Sequence, residues 1–361
     1  MSARPPVITG RGVFSPLGCD WPSFAASVRA GRTAPVAPYP GAVPDDPILF
    51  HPLAADPPAE GTSTRSEPLS ALATAAVRAA LDEAGIAVGG GPLDDVGLVM
   101  STAFGPSTAV ESYLEVLLTR GPRASRPALF VDTLLSMPAS RVGIALGLRG
   151  STAVLGGSDP FELALTWLRQ EREHTVVAGG ADCLSPKCLR HHRALAGRSG
   201  AQRALLAQGA AFVVLEEAGH AQQRAARPLA ELLGAGAASE PQDAAVPWSG
   251  DPGGGAFAAA MRSALADATV TAGDVTLVAL AAGDDASEAG ELAAVRDVFG
   301  GPPALLRPKR LFGEALGASG GLGLFAALAE LEGSGRPGLG LVNAFEMGGA
   351  VSSLVVRGGG R

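Results

Sequence analysis

Three cysteines and five histidines are the side chains best suited to nucleophilic or metal chemistry in this 361-residue chain. Cys183 and Cys188 lack the two-residue gap of paired zinc ligands, and His191 and His192 are adjacent rather than separated. No metal site is therefore expected. An odd number of cysteines, with Cys19 as the third, indicates free thiols in a reducing compartment rather than a disulfide framework.

A small-residue turn followed by a helix is predicted from the string RGSTAVLGGSDPFELALTWL. Within it, Asp159, Pro160 and Glu162 occupy the positions of an N-cap, a first-turn proline and the glutamate of a capping box. A carboxylate that accepts bonds from its own helix is a cap, so Asp159 is interpreted as structural. Ser158 could attack an acyl group only with a base, and no histidine lies near it in the sequence.

The composition limits the class of protein. Hydrophobic residues make up 47% of the chain, enough for one large core or two fused cores. Only 17% of residues are charged, and the net charge of -7 argues against nucleic-acid binding, which needs clustered Lys and Arg. The sequence has no apolar export signal and no window near the roughly 20 apolar residues of a membrane span. We therefore expect a cytoplasmic protein, outside the membrane and without a cofactor.

Runs of β-branched residues alternate with Ala/Leu-rich stretches, which predicts a layered α/β fold. The strands and helices of this fold must position the side chains named above. Strands are predicted at residues 6–8, 96–101, 175–178, 211–216, 275–280, 339–342 and 353–357. Helices are predicted at residues 66–84, 107–118, 159–170, 254–267, 286–299 and 320–332.

Two segments show no periodicity and are interpreted as linkers or excursions. Residues 33–64 contain eight prolines, and residues 235–255 are rich in Gly, Ala and Pro. The second segment predicts a seam between two halves, residues 1–235 and 236–361. Each half closes with a β-rich stretch after a small-residue turn, AGGAD…AAFVVLEE and NAFEMGGAVSSLVVR, which indicates an internal duplication.

Five strings along the chain carry a family resemblance: VITGRGVFSPLG, VAGGADCLSP, AAFVVLEEAGHAQQRAARPLAEL, RLFGEALGASGG and NAFEMGGAVSSLVVR. In order and spacing they resemble the β-ketoacyl synthase family over nearly the whole chain. The resemblance implies a duplicated, five-layer α/β/α/β/α thiolase-like fold that dimerises through a central strand. It also implies acyl chains that are delivered by an acyl carrier protein.

Condensation in that family requires a thiolate at the start of a buried helix and two histidines that stabilise developing negative charge. At the place of the cysteine this chain has Ser158 and Asp159, and at the place of the first histidine it has Ala282. Glu314 stands at the second histidine, and its carboxylate would repel a developing oxyanion. The resemblance thus implies a member that has lost its catalytic side chains.

Other pocket positions marked by the resemblance also bear on function. Lys309 is kept and is interpreted either as a partner that neutralises Glu291 or Glu314, or as an ordinary snorkelling lysine. The family's gating Gly-Phe pair appears here as Glu346 and Met347, directly after Phe345. Candidates for a tunnel wall, with plain core packing as the alternative, are Phe104, Tyr113, Leu114 and Leu117.

None of the five histidines, His51, His174, His191, His192 and His220, matches a catalytic position of the family. His191 and His192 lie in the basic string KCLRHHRALAGR, which is interpreted as solvated or carrier-facing surface.

Three functions remain open. The first is a non-catalytic subunit, most like a chain length factor, that forms a heterodimer with an active ketosynthase in polyketide or fatty-acid-like biosynthesis. The second is a repurposed acyltransferase or hydrolase that uses Ser158 or the vicinal acids Asp284 and Asp285. The third is a homodimeric acyl-binding scaffold.

Overall fold

The computed structural model describes residues 4–40, 47–58, 67–125, 127–157, 159–199, 204–239, 254–301, 303–346 and 348–359. Two candidate site residues, Ser158 and Met347, lie outside these ranges. The strands are β1 (Val7–Phe14), β2 (Ala37–Pro38), β3 (Leu49–Phe50), β4 (Val96–Thr102), β5 (Thr152–Gly156), β6 (Thr175–Asp182), β7 (Gly209–Glu216), β8 (Ala230–Ser239), β9 (Val275–Ala279), β10 (Ala304–Leu306), β11 (Gly338–Phe345) and β12 (Ala350–Gly358). The helices are α1 (Trp21–Arg29), α2 (Pro68–Glu83), α3 (Ser107–Arg120), α4 (Pro127–Val131), α5 (Met137–Leu146), α6 (Phe161–Arg169), α7 (Pro186–Ser199), α8 (Ala218–Gln223), α9 (Gly255–Asp267), α10 (Asp285–Phe299), α11 (Pro308–Phe312) and α12 (Ser319–Gly333).

Two groups of five strands repeat the same order. In the first, β5, β4 and β6 are parallel, and β7 and β1 follow antiparallel. In the second, β10, β9 and β11 are parallel, and β12 and β8 follow antiparallel. The two groups join where Val7 and Ile8 of β1 pair with Glu231 and Ala230 of β8. The repeated order supports the duplication that the sequence indicates.

Helices form three layers around the two five-stranded halves of this ten-stranded sheet. Helices α6 and α12 lie between them and contact strands of both halves. Helices α2 and α5 pack on the first half, and α9 and α10 pack on the second. Helix α12 is buried nearly all round, from Ser319 to Leu331, as expected for a central helix of small and apolar residues. The predicted five-layer α/β fold is confirmed.

Each predicted strand and helix has a counterpart, and the ends differ by up to four residues except at β1, which continues to Phe14 although the prediction ended at residue 8. Helix α2 begins after Glu67, whose carboxylate accepts the N–H of Ser70 at 2.9 Å, and Gly85 follows its end with a φ of 71°. The elements that were not predicted are helices α1, α4, α5, α7, α8 and α11 and strands β2, β3, β5, β8 and β10. Several of them are short, β5 is half-exposed, and α7 carries basic residues where an apolar stripe would be sought.

The two segments interpreted as linkers need correction. Residues 235–239 belong to β8, which pairs with β12, so the expected boundary at 235/236 falls inside a strand. Within residues 33–64 the described part forms the β2–β3 hairpin, and His51 bridges to Ala207. None of the described helices is long and apolar enough to cross a bilayer.

Because Gly180 has no side chain, the turn at residues 315–318 can pack directly against strand β6. A Cβ at Gly180 would lie 1.8 Å from the carbonyl oxygen of Gly317, far inside van der Waals contact. The same turn follows directly after Glu314, so this contact positions one of the candidate site residues.

We predict that Gly180→Ala lowers the free energy of unfolding by about 2 kcal/mol or more, because backbone on both sides of the contact would have to move. Urea unfolding followed by circular dichroism measures the change. Gly90→Ala is the matched control, since a Cβ there would meet nothing within 4 Å and should leave stability unchanged. Equal stability of the two variants would contradict the prediction.

Candidate functional site

One small cavity brings together two of the three positions at which the resemblance predicts missing catalytic side chains. Ala282 follows β9 and Glu314 follows α11, and both line the cavity together with Lys309 and Phe345. Its volume is about 30 Å³, enough for one or two water molecules. The remaining lining residues are His192, Ala204, Ala281, Gly283, Asp284 and Ser287.

A buried ion pair includes Glu314, the residue that the resemblance places at the second histidine position. The Nζ of Lys309 lies 2.5 Å from the Oε2 of Glu314, with side-chain exposures of 5% and 11%. The Oε1 of Glu314 accepts the N–H of Leu316 at 2.9 Å and the hydroxyl of Ser319 at 2.7 Å. Of the two interpretations of Lys309, partner and snorkelling lysine, the structure supports the partner, and Glu314 is that partner.

Glu291 binds the backbone N–H groups at the position that the resemblance assigns to the first histidine. Its carboxylate accepts the N–H groups of Ala281 and Ala282, both at 2.8 Å, and the amide of Asn343 at 2.8 Å. Burial raises the pKa of Glu291, while these three bonds and the charge of Lys309 act in the opposite direction. Ala282 therefore offers a developing oxyanion neither a side-chain donor nor a free backbone N–H.

Asp159 lies before α6 and caps the helix with only one of its two carboxylate oxygens. Its Oδ1 accepts the N–H of Phe161 at 2.8 Å, but between these described residues Glu162 makes no bond back to Asp159, so the predicted capping box is wrong. The Oδ2 is buried and has no hydrogen-bond partner. Burial raises the pKa of Asp159 to about 6, against the effect of the Phe161 N–H and the nearby Ser352 hydroxyl.

Glu346, one of the gate candidates, is buried at the end of β11 with 6% exposure. Burial raises its pKa to about 8. Lys309 lowers that pKa, and the carboxylates of Glu314, Asp159 and Asp182 raise it further. Glu346 is therefore protonated at neutral pH. The preceding Phe345 lines the cavity and packs against Phe257 at a ring distance of 5.7 Å.

Asp182 is a site residue that the sequence analysis missed. It ends β6 and accepts the hydroxyl of Thr102 at 2.7 Å and the N–H groups of Ala103 and Gly317 at 2.8 Å each. Burial raises its pKa to about 6. The sequence signal for this residue was its place in the AGGAD string at the end of a predicted strand, since a buried polar residue there must find hydrogen-bond partners.

His192 corrects the interpretation of the basic string in α7. His191 is exposed, but His192 is half-buried, lines the cavity, and has its Nε2 3.2 Å from the carbonyl oxygen of Ala204. Helical spacing would have revealed this, because His192 lies four residues after the buried Cys188 and three before the buried Leu195.

The tunnel candidates on α3 are not core residues, whereas Phe104 packs against a buried cluster. Helix α3 has no buried residue, so plain core packing is the wrong interpretation for its side chains. Tyr113 stacks near Phe130 at 5.7 Å, Leu114 is 40% exposed, and Leu117 is half-buried. Phe104, just before the helix, packs against a separate buried cluster that includes Leu316.

The remaining nucleophile and acid candidates have structural roles. Asp284 caps α10 by accepting the N–H of Ser287 at 2.9 Å, and Asp285 pairs with Arg310 at 2.6 Å. Burial raises the pKa of the Cys183 thiol well above its usual range and that of Cys188 to about 12, so neither is a thiolate at neutral pH.

Two family models together match most of the chain. Beta-ketoacyl synthase, N-terminal domain, matches residues 3–221, and Beta-ketoacyl synthase, C-terminal domain, matches residues 229–337. Nodulation protein E of Rhizobium sp. (strain N33) is 26% identical over 359 residues, which cover 90% of this chain and 86% of that protein. The 3-oxoacyl-[acyl-carrier-protein] synthase 2 of Coxiella burnetii (strain RSA 493 / Nine Mile phase I) is 26% identical over 377 residues, with coverages of 96% and 90%.

Solved structures agree on the fold. The ishigamide ketosynthase/chain length factor aligns with a TM-score of 0.85 at 22% identity, covering 99% of this chain and all of the other. A type II polyketide synthase ketosynthase in complex with its acyl-carrier protein, bound to the hexaketide, aligns with a TM-score of 0.84 at 19% identity, with the same coverage.

We predict that Lys309→Met lowers the free energy of unfolding by about 3 to 5 kcal/mol at pH 7, because it leaves Glu314 buried without its cation. The double variant Lys309→Met/Glu314→Gln should recover much of that loss. Urea unfolding of the single and double variants measures both effects.

The control is Arg262→Met, which removes one partner of an exposed pair with Asp297 and should cost less than about 1 kcal/mol. A Lys309→Met variant as stable as the control would show that the buried pair does not hold the site together.

Proposed function

This chain belongs to the β-ketoacyl synthase family, and we propose that within it the chain is a non-condensing, chain-length-factor-like partner of an active β-ketoacyl synthase. The pathway would be cytoplasmic polyketide or fatty-acid-like biosynthesis. The observation that carries the proposal is the Lys309–Glu314 ion pair at the cavity where the second histidine belongs.

Charge argues against condensation at this cavity. An oxyanion needs donors or cations that are free to approach it, and the one lysine is already bound to Glu314. The N–H of Ala282 is taken by Glu291. Glu314 and Asp159 add negative charge, which would raise the energy of an enolate or thioester oxyanion. One of the named relatives is a 3-oxoacyl-[acyl-carrier-protein] synthase 2, so this chain would differ from it at its site rather than in its fold.

Space argues in the same direction. Pockets that bury an organic ligand usually measure roughly 300 to 1,000 Å³, and this cavity measures about 30 Å³. A growing acyl chain would therefore lie outside it, in a space that a second subunit helps to form.

An exposed apolar surface supports pairing with such a subunit. We call it the α3–α5 face, and its exposed side chains are Leu114, Leu118, Leu129, Phe130, Val131, Leu134, Leu135 and Ile144. Beside it runs β5, an edge strand that pairs with β4 on one side only. Leu118 and Ile144 are 80% and 83% exposed, which is costly in a monomer. A partner that adds a strand to β5 would cover both features.

Helix α7 supports a role near an acyl carrier protein, a class of small acidic partner. The helix contains no acidic residue, although the whole chain carries a net charge of -7. Lys187, Arg190, His191 and Arg193 are exposed on it. Its inner face reaches the cavity through His192, so a carrier bound to the outer face would sit beside the site.

A second candidate function, a repurposed acyl hydrolase, is favoured by His192 alone. Among the described residues it is the imidazole at the cavity, and an imidazole can act as a general base. Its nucleophile would have to be Ser158, and the described cavity walls offer only Ser287, whose hydroxyl is bonded to Asp284 at 2.9 Å.

We predict that the chain co-purifies with a separately encoded ketosynthase, and that Ile144→Glu or Leu118→Glu lowers the affinity of the pair about tenfold or more, because each buries a charge in the interface. Analytical ultracentrifugation measures the association. Leu49→Glu is the control, since Leu49 is 44% exposed but lies on β3, away from the α3–α5 face. A stable homodimer that hydrolyses acyl thioesters, and stops doing so in His192→Ala, would replace the proposal by its alternative.

We further predict that Arg190→Glu weakens binding of the pair to its acyl carrier protein roughly fivefold at low salt, because it reverses one charge of the basic helix. Surface plasmon resonance at two salt concentrations measures the effect. Arg149→Glu, a change of equal charge at a 65% exposed arginine next to Asp94, should leave carrier binding unchanged. Equal effects of the two substitutions would remove α7 as the docking helix.

A further inference from the structure

An open cleft of about 450 Å³ lies at the opposite end of helix α12 from the candidate site. Ser319 at the start of α12 bonds to Glu314, and Glu332 near the end of the helix lines the cleft. The stretch of helix between Ser319 and Glu332 spans roughly 20 Å. The cleft shares no lining residue with the small cavity, and its volume is that of pockets that bury small organic molecules. We call it the Arg11 cleft.

Arg11 on β1 lines this cleft, but its charge is already taken by the protein. The residue is buried, and its guanidinium bonds to the two carboxylate oxygens of Glu83 at 2.8 and 3.1 Å and to Glu332 at 2.6 Å. The same guanidinium lies 3.8 Å from the ring centroid of Trp21. Arg11 therefore ties the ends of α2 and α12 together and is committed to protein partners.

Two further arginines line the Arg11 cleft, and both are exposed. Arg29 ends α1, and Arg227 lies in the segment between α8 and β8. Among the described residues, neither side chain makes a hydrogen bond or an ion pair. A cation at the end of α1 offsets the helix dipole, which accounts for Arg29 in part. Arg227 lies four residues beyond the end of α8, outside the reach of that helix dipole, so its charge has no structural use.

The second half of the duplicated fold contains an equivalent cleft, which serves as an internal comparison. In the first half, the backbone N–H of Arg11 in β1 donates to Glu83 at the end of α2. In the second half, the backbone N–H of Ala235 in β8 donates to Asp267 at the end of α9. Asp267 lines a cleft of about 580 Å³, as Glu83 lines the Arg11 cleft, so the two clefts occupy matching places.

The arginines of the second cleft are all bonded to the protein. Their pairs, at 2.5 to 3.1 Å, are Arg169–Asp267, Arg357–Glu231 and Arg4–Gln222. Three acids line that cleft beside its three arginines, whereas the Arg11 cleft has three arginines and two acids. The fold therefore does not require free guanidinium groups at this place, and they are a property of the Arg11 cleft.

We propose that the Arg11 cleft binds a small phosphate ester that carries hydroxyl groups, with Arg29 and Arg227 on the phosphate. A guanidinium presents parallel N–H donors to phosphate oxygens and stays charged at physiological pH. A phosphate ester has enough terminal oxygens for two arginines, whereas the two oxygens of a carboxylate are filled by one.

Glu332 supplies the contact to the hydroxyl groups of the ligand. Its Oε1 accepts from Arg11, and among the described residues its Oε2 has no hydrogen-bond partner. Its side chain is 32% exposed, so the Oε2 is free to accept a ligand hydroxyl. This binding site concerns the chain alone and does not rest on its pairing with a ketosynthase.

Isothermal titration calorimetry of the full-length chain with ribose 5-phosphate tests the proposal. We expect saturable binding at one site at low salt, no binding of ribose, and about tenfold weaker binding of ribose 5-phosphate by Arg227→Ser or Arg29→Ser. Arg123→Ser, at an exposed arginine just after α3, is the control and should keep the full affinity. Absence of saturable binding, or equal losses in Arg123→Ser and Arg227→Ser, would overturn the proposal.

Arg227→Lys separates a guanidinium contact from plain attraction between charges. Lysine keeps the charge but lacks the planar pair of donors, so we expect the affinity for ribose 5-phosphate to fall about threefold or more. An unchanged affinity in Arg227→Lys would refute the guanidinium contact.

Urea unfolding gives a second measurement on the same variants. Without ligand, Arg227→Ser should unfold at the same urea concentration as the unmodified chain, because Arg227 is exposed and has no described partner. Saturating ribose 5-phosphate should raise the midpoint of the unmodified chain and leave that of Arg227→Ser nearly unchanged. An equal rise in both proteins would place the ligand elsewhere and overturn the proposal.

Discussion

The buried ion pair between Lys309 and Glu314 is the constraint on which the site depends. A carboxylate at 11% side-chain exposure is stable there only because a lysine, two hydrogen-bond donors and a close turn surround it. Because Lys309 is bound to Glu314, it is not free to approach another oxygen. The small cavity lies beside this pair, and the N–H of Leu316, whose φ is 55°, donates to the same carboxylate.

The fold explains why a site whose catalytic side chains are proposed to be replaced can keep its shape. The two halves of the ten-stranded sheet have the same strand order and enclose α6 and α12. The contact of Gly180 with Gly317 positions the turn that follows Glu314. Asp182 ties the same turn to the end of β4 through Thr102. These contacts are buried and mostly involve the backbone. They therefore do not depend on which side chains occupy the family's catalytic positions.

Sequence patterns reached the architecture and the missing side chains but not the partners of the charged groups. The positions of Ala282 and Glu314 at one cavity were predictable from the resemblance, because the glycine-rich turns around them have a fixed order. The sequence did not predict that Lys309 pairs with Glu314 rather than Glu291, or that His192 faces the cavity. Each of these contacts depends on how elements that are distant in sequence pack together. Strand β5 was missed because a half-exposed edge strand of small residues has no strong apolar period.

The central proposal is that none of the described residues at the site carries an acyl chain. Intact-protein mass spectrometry after incubation with an acyl thioester of the carrier, alone and with the partner ketosynthase, tests it most directly. The account predicts an unchanged mass for this chain in both mixtures and an acyl adduct only on the partner. A stoichiometric adduct on this chain would contradict the account.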